Sequence, residues 1–185
     1  MRIIAGKYRG TRLITPQLNT RPSSDRLKES LFNTLQQSCT NQKWLDLFAG
    51  SGAIALEALS RGAAFAVMND QSLGAISAIN TNVKKMSVQE HSIVLNLEAK
   101  QACQLLNKQK YSFDVIFCDP PYDLSIQDVL NEITTSYLVK HKTKIIIEQA
   151  KGDQEYALSE GFVKIKERVI GQSMYRIYEN QGETL

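Results

Sequence analysis

Asp119-Pro120-Pro121-Tyr122 sets a carboxylate, two prolines and a phenol ring directly after the apolar run Phe113-Asp114-Val115-Ile116-Phe117-Cys118. A carboxylate and a peptide carbonyl accept hydrogen bonds and donate none, and an aromatic ring offers a flat face for stacking. Together they suit the grip of a planar group that carries an NH2. The Asp119 carboxylate and the Pro120 carbonyl take the two amino hydrogens while Tyr122 stacks on the π-face. The prolines fix the geometry: each locks φ near −65°, lacks an N–H and pushes the preceding residue towards extended backbone. The apolar run reads as a strand buried on both faces, so the group is held at its carboxyl end, where open α/β sheets bind ligands. A plain strand followed by a proline turn is the competing reading of these residues taken alone.

A second constellation lies upstream, in Trp44-Leu45-Asp46-Leu47-Phe48-Ala49-Gly50-Ser51-Gly52. Gly50-x-Gly52-x-x-Ala55 fits the dinucleotide fingerprint, and Asp70 follows twenty residues after Gly50. Asp46 argues against a dinucleotide, because an acid four residues before the first glycine repels a pyrophosphate at the helix N-terminus. S-adenosylmethionine carries no phosphate but a sulfonium and an α-ammonium, and it welcomes a nearby acid. The glycines still let backbone approach the nucleoside closely. The stretch therefore favours S-adenosylmethionine over NAD, with a bare glycine turn as the competing reading.

Elements that position these groups alternate along the chain. Strands are expected at 44–48, 64–68, 91–96, 113–118 and 143–148. Helices are expected from Ala53 to Arg61-Gly62 and near 71–85, 98–107 and 125–138. This predicts an α/β fold with a mainly parallel sheet and helices on both faces. Phe162–Val169 and Met174–Tyr178, separated by Gly171-Gln172-Ser173, have hairpin spacing and add a C-terminal antiparallel pair. Upstream, Arg21-Pro22-Ser23-Ser24-Asp25 caps a helix to about Gln37, with Leu27, Leu31, Phe32 and Leu35 as its core stripe. Arg26 and Lys28 lie off that stripe and face ligand or solvent. Residues 2–5 and 11–15 read as two short strands joined by Lys7-Tyr8-Arg9-Gly10.

The 185 residues, 43% hydrophobic and 22% charged, suit one globular domain, with residues 1–20 as an N-terminal arm and 21–185 as helix plus core. There is no apolar run of ~20 residues and no signal-like leader, so no membrane is expected and the chain reads as cytoplasmic. Cys39, Cys103 and Cys118 form no C-x-x-C pair and pack as small apolar residues; with two histidines, no metal site is expected. The net charge of +3 is uneven: residues 1–44 carry +6, leaving −3 for the rest. A basic arm with a tyrosine among its cations suits a single-stranded polyanion, and Lys7, Arg9, Arg12, Arg21 and Arg26 are its candidate RNA-binding residues. A solvated charged surface, or a simple edge hairpin, is the alternative.

Four segments together resemble the bacterial 16S ribosomal RNA (guanine-N2)-methyltransferase family, of the Rossmann-like class I methyltransferases. They are Arg2 to Gly10, Arg21 to Arg26, Asp46 to Gly52 with Glu57-Ala58-Leu59, and Asp119 to Tyr122. The resemblance runs through nearly the whole chain. It implies a seven-stranded fold and methyl transfer from S-adenosyl-L-methionine to the exocyclic N2 of one guanine in 16S rRNA of the small ribosomal subunit. It assigns Asp46, Phe48, Ala49, Gly50, Ser51 and Gly52 to the methionine and ribose side of the cofactor. Glu98 and Ala99 border the adenine, and Asp119, Pro120, Pro121 and Tyr122 hold the guanine. One position departs from the family pattern. The ribose-gripping acid at the end of the second strand is replaced by Met68, a poor acceptor, and Asp70 two residues on is its candidate replacement.

Chemically, the guanine amino nitrogen is a weak nucleophile because its lone pair is delocalised into the ring. Acceptors on both N–H bonds, from Asp119 and the Pro120 carbonyl, favour a pyramidal nitrogen aimed at the methyl carbon. In-line positioning in a dry pocket then supplies most of the rate, with no metal and no covalent enzyme intermediate. The base must be turned out of its stack. The protein reads as a monomer in solution. Two rivals remain: N6-adenine methylation of DNA, and a non-catalytic RNA-binding or ribosome-assembly module. The first is weakened because no added domain reads a duplex sequence. Met68 keeps the second alive.

Overall fold

The structure, a computed structural model, describes residues 1–16, 25–35, 39–121 and 124–182. Arg21, Tyr122 and residues 22–24 of the expected capping stretch therefore lie outside the described residues. Along the chain the structure divides into two compact units, Met1–Leu97 and Glu98–Leu185.

In the first unit, α1 (Asp25–Thr34) buries Leu27, Leu31 and Phe32 as expected. β1 (Lys43–Asp46) is followed by α2 (Ala53–Ser60), in which all eight residues are buried. A helix apolar nearly all round belongs inside, so its one charge, Glu57, has to be accommodated there. β2 (Phe65–Asn69), α3 (Leu73–Met86) and β3 (Ser92–Leu95) complete the unit. The strands run parallel in the order β3-β2-β1, with Asp46 level with Met68 and Met68 level with Val94. The three strand ends thus lie at one edge of that sheet.

Two readings are corrected here. Lys28 is fully buried and does not face ligand or solvent: its Nζ donates to the Arg2 carbonyl and lies 3.4 Å from Glu57. The arm is not a regular two-stranded hairpin either. One antiparallel bridge, Arg2 to Arg12, joins its two runs, with Ile3 N donating to Thr11 O and Gly10 N to Ile3 O. The reason is that Ile4 and Ala5 donate their amides to the Glu57 carboxylate, at 2.8 and 3.0 Å, instead of across a ladder.

The second unit holds α4 (Ala99–Lys108), β4 (Val115–Cys118), α5 (Gln127–Thr134), β5 (Lys144–Ala150), β6 (Phe162–Ile170) and β7 (Ser173–Asn180). Its strand order is β4-β5-β7-β6, with β4 and β5 parallel and β7 antiparallel to both of its neighbours. The seven strands are therefore mixed and mostly in parallel pairings, and the antiparallel C-terminal pair turns at Gly171-Gln172, as expected.

Two elements are shorter than their patterns. β4 starts at Val115 because Phe113 is tied off the ladder, its N–H to Leu138 O and its carbonyl to the Thr143 hydroxyl. α5 stops at Thr134 because Thr135 and Ser136 turn their hydroxyls onto the carbonyls of Asn131 and Ile133, competing with the helix. All three cysteines are buried thiols, and burial pushes those of Cys39 and Cys103 up to about 12, which fits inert packing. Among the described residues no helix is long and apolar enough to cross a membrane.

Candidate functional site

In the first unit, Asp46 closes β1 level with Met68, the last residue but one of β2, and Phe48 to Gly52 form the loop that leads into α2. Asp46, Ala49, Ser51 and Gly52 are buried, whereas Phe48 and Gly50 are partly open. The loop is held by its own amides. Ala49 N donates to Asn69 O at 2.9 Å, Gly50 N to Asp70 Oδ2 at 2.9 Å, and Gly52 N to Ala49 O at 2.6 Å. Gly52, at φ +77°, is required for a second reason: a Cβ there would lie 2.9 Å from Met68 Sδ. Met68 is thus fully buried beneath the loop. Asp70 stands partly open beyond the end of β2, and its other oxygen accepts the Ser72 amide at 2.9 Å.

Two buried asparagines that sequence reasoning missed anchor this edge. Asn69 donates to the carbonyls of Leu47 and Leu97 and accepts the Leu97 amide, so it ties together the exits of all three strands. Asn82, on α3, donates to the carbonyls of Ser51 and Ile14 and accepts the Ile14 amide, joining the loop to the arm.

The arm docks through α2. Gly6, at φ +83°, leaves no room for a Cβ, which would sit 1.8 Å from the Ser60 carbonyl. Lys7 N donates to that carbonyl, and the Ser60 hydroxyl bonds both Ala5 O and Tyr8 N. The Glu57 carboxylate takes Ile4 N, Ala5 N and Arg61 Nε, and it faces the Lys28 ammonium. Burial pulls Lys28 below the ordinary lysine value, while Glu57 and then Asp25 pull the other way. Lys7, Arg9, Arg12 and Arg26 are all exposed, and Lys7 lies over the Tyr8 ring at 5.1 Å. Arg9 shares a cleft of about 200 Å³ with Arg2, Asp25 and Glu29, so part of the arm's charge faces acids. Lys85, from the last turn of α3, reaches the Arg12 carbonyl at 2.7 Å.

In the second unit, Glu98 is exposed and leads into α4, with Ala99 as the first helical residue. Asp119 is half-buried, Pro120 buried and Pro121 exposed, immediately after the fully buried β4. The register pair Cys118 to Ile147 brings Asp119 level with Glu148 of β5, and Glu148 is only 6% exposed. Sequence reasoning passed over Glu148, although an acid that ends the run Ile145-Ile146-Ile147 was a usable signal. Its carboxyl is pushed up to about 8, first by burial and then by the charge of Asp119. Among the described residues no group of three or more His, Cys, Asp or Glu is placed to hold a metal ion.

Known proteins of similar sequence and structure match this chain along nearly its whole length. Residues 1–179 match the family described as Conserved hypothetical protein 95. The chain is 32% identical to "Ribosomal RNA small subunit methyltransferase D" of Haemophilus influenzae, over 97% of this chain and 94% of that protein. It is 30% identical to the protein of the same name in Escherichia coli, over 100% and 93%. A solved structure, "Putative methyltransferase yhhF from Escherichia coli", superposes with a TM-score of 0.87 at 29% identity, covering 99% of both chains. The fold is that of the Rossmann-like class I methyltransferases, and the chain belongs to the Conserved hypothetical protein 95 family, that of ribosomal RNA small subunit methyltransferase D.

Proposed function

We propose that this protein transfers a methyl group from S-adenosylmethionine to the exocyclic N2 of a guanine in 16S rRNA of the small ribosomal subunit. The relatives' names support ribosomal RNA of the small subunit as the substrate class. The residues support the rest.

The glycine loop fits a cofactor without phosphate. Its Ala49, Gly50 and Gly52 amides are already taken up within the protein, and a pyrophosphate would need such donors. Asp46 and Asp70 set two carboxylates beside the loop, which suits a cationic cofactor. No Cβ clash lies within 4 Å at Gly50, so that side of the loop is open. S-adenosylmethionine supplies a methyl carbon on a sulfonium, already activated towards a weak nucleophile. Asp46, the Phe48–Gly52 loop and Asp70 hold it in this reading, and Glu98 and Ala99 border its adenine. Met68 acts by packing under Gly52.

The observation that carries the proposal is Asp119 at the end of the buried β4, followed by two prolines. A carboxylate only accepts. Guanine presents N1–H and N2–H2 side by side, so every hydrogen on that edge finds a partner. Adenine sets its N1 lone pair beside N6–H2, so a carboxylate placed on that side of the ring favours guanine, whereas the two amino hydrogens alone are common to both bases. The Pro120 carbonyl takes the second amino hydrogen, and Tyr122 stacks on the base. Lys7, Arg9, Arg12, Arg21 and Arg26 bind RNA phosphates, and the chain works as a single-domain monomer.

The test is methylation of small subunits purified from cells that lack this protein, followed by nucleoside mass spectrometry. The expected product is N2-methylguanosine in 16S rRNA. N6-methyladenosine, or no added methyl group, would overturn the reading.

A further inference from the structure

Glu148 plays no part in the mechanism above, yet it is a costly residue to keep. It sits on β5, buried at 6% exposure, and its Oε2 meets no hydrogen-bond partner among the described residues. On the β4 side, Asp119 stands within hydrogen-bonding reach. On the β7 side, the Ser173 hydroxyl bonds it and Tyr175 is its register partner. The cation of that strand, Arg176, is level with Ile147 and points to the opposite face, where it binds Gln149 and Glu167. Two carboxyls this close do not both ionise, so the pair shares one proton. The more buried member keeps it, because burial penalises its anion more.

We propose that Glu148 is a positioning residue for methyl transfer: it carries the pair's proton and donates it in a hydrogen bond to Asp119, which stays an anion with its remaining lone pairs aimed at the target amine. The inference rests on the reading of Asp119 as the acceptor for that amine. The proton that the amine sheds once it carries the methyl group passes to bulk water, so the pair ends the turnover holding the one proton it began with. Deprotonation of Glu148 removes the donor and sets two anions side by side, so Asp119 loses its orientation. The carboxyl pushed up to about 8 places that loss just above neutral pH.

The experiment is single-turnover methylation of small subunits from pH 6 to pH 9.5, with wild type, Glu148→Gln, Glu148→Ala and Asp119→Ala compared. Cofactor binding by calorimetry and thermal melting of each variant run beside it. Wild type should slow above about pH 8, approaching tenfold per pH unit. Glu148→Gln keeps an N–H donor that does not titrate. It should stay within about threefold of wild type at pH 7 and lose the alkaline fall. Glu148→Ala should be slower at pH 7 by about 10-fold or more, the effect of losing a charged hydrogen bond. The same alkaline fall in Glu148→Gln, or a Gln variant as slow as the Ala variant, would overturn the role of Glu148 alone. Asp119→Ala at wild-type rate would overturn the acceptor reading and this inference together.

Discussion

Glu57→Gln tests whether one buried carboxylate holds the arm to the body of the first unit. The side chain is fully buried and receives Ile4 N at 2.8 Å, Ala5 N at 3.0 Å and Arg61 Nε at 2.8 Å, with Lys28 Nζ at 3.4 Å. Glutamine keeps one acceptor but turns an NH2 towards a cluster of donors. It also leaves the fully buried Lys28 with only the half-exposed Asp25 carboxylate, 3.7 Å away, as counter-charge. Breaking a buried ion pair by removing one partner costs about 3–5 kcal/mol. At about 2–4 °C per kcal/mol for a chain of this size, Tm should fall by about 6–20 °C. Adding Lys28→Met removes the buried ammonium, so the double variant should recover part of the loss, with a coupling of about 1–3 kcal/mol. Recovery stays partial because the Arg2 carbonyl also loses its Lys28 donor. Urea and thermal unfolding of the four proteins give the cycle, and hydrogen exchange at Ile4 and Ala5 should accelerate in Glu57→Gln. A Glu57→Gln loss below about 1 kcal/mol, or strict additivity in the cycle, would refute the argument.

Alanine at Lys7, Arg9 and Arg12 should weaken RNA binding and flatten its log–log salt dependence by about 0.7–0.9 for each phosphate no longer neutralised, as binding across a salt series would show. Cofactor affinity should hold, and an equal fall in both would make the arm purely structural. Asp119→Asn keeps a neutral acceptor and Asp119→Ala keeps none, so the alanine variant should fall about 10- to 150-fold below wild type in single-turnover transfer and be slower than the asparagine variant, with cofactor titration near normal in both; equal rates for the two variants contradict the acceptor role. Asp70→Asn presents an NH2 to one of the two amides that Asp70 now accepts, Gly50 N and Ser72 N, and should weaken calorimetric S-adenosylmethionine binding about tenfold. Glu148 also links pH to stability: its folded value is raised from 4.5 to about 8, so in that window the folded state binds a proton that the unfolded chain has released. Its contribution is complete below pH 4.5 and fades as pH rises towards 8, by up to about 1.4 kcal/mol per pH unit. Urea unfolding across that range should show the slope in wild type and its loss in Glu148→Gln.

The fold was legible where hydrophobic period and turn chemistry agree. Ile145 to Ile147, Val115 to Cys118 and Phe65 to Met68 are continuous apolar runs bounded by turn residues, and each is a strand at its expected place. Gly171-Gln172 turns the C-terminal pair as the spacing implied. The misses are local. Residues 135–138 keep an apolar pattern that suits a helix, but the hydroxyls of Thr135 and Ser136 take carbonyls the helix would need. The arm alternates as a hairpin would, but its amides go to Glu57, a residue more than fifty positions away.

The candidate site divides along the same line. Asp46, Gly50, Gly52 and Asp119 announce themselves because their types are odd for the elements around them. The ties that hold them in place do not. Asn69 and Asn82 sit among polar and small neighbours and disturb no periodicity, so only the folded chain reveals that one joins three strand exits and the other joins arm to loop. Glu57 and Glu148 are different, because each is a lone acid inside an apolar stretch, Ala55-Leu56-Glu57-Ala58-Leu59 and Ile145-Ile146-Ile147-Glu148. A charge in such a place is expelled to the surface or matched by a specific partner inside. Both remain inside, Glu57 against amides and cations and Glu148 beside a second carboxyl. The first arrangement neutralises its charge and so reads as structural support. The second keeps a proton in play beside Asp119, and as pH rises above 4.5 that juxtaposition costs the fold stability, which is the physical reason to look for its value in the chemistry.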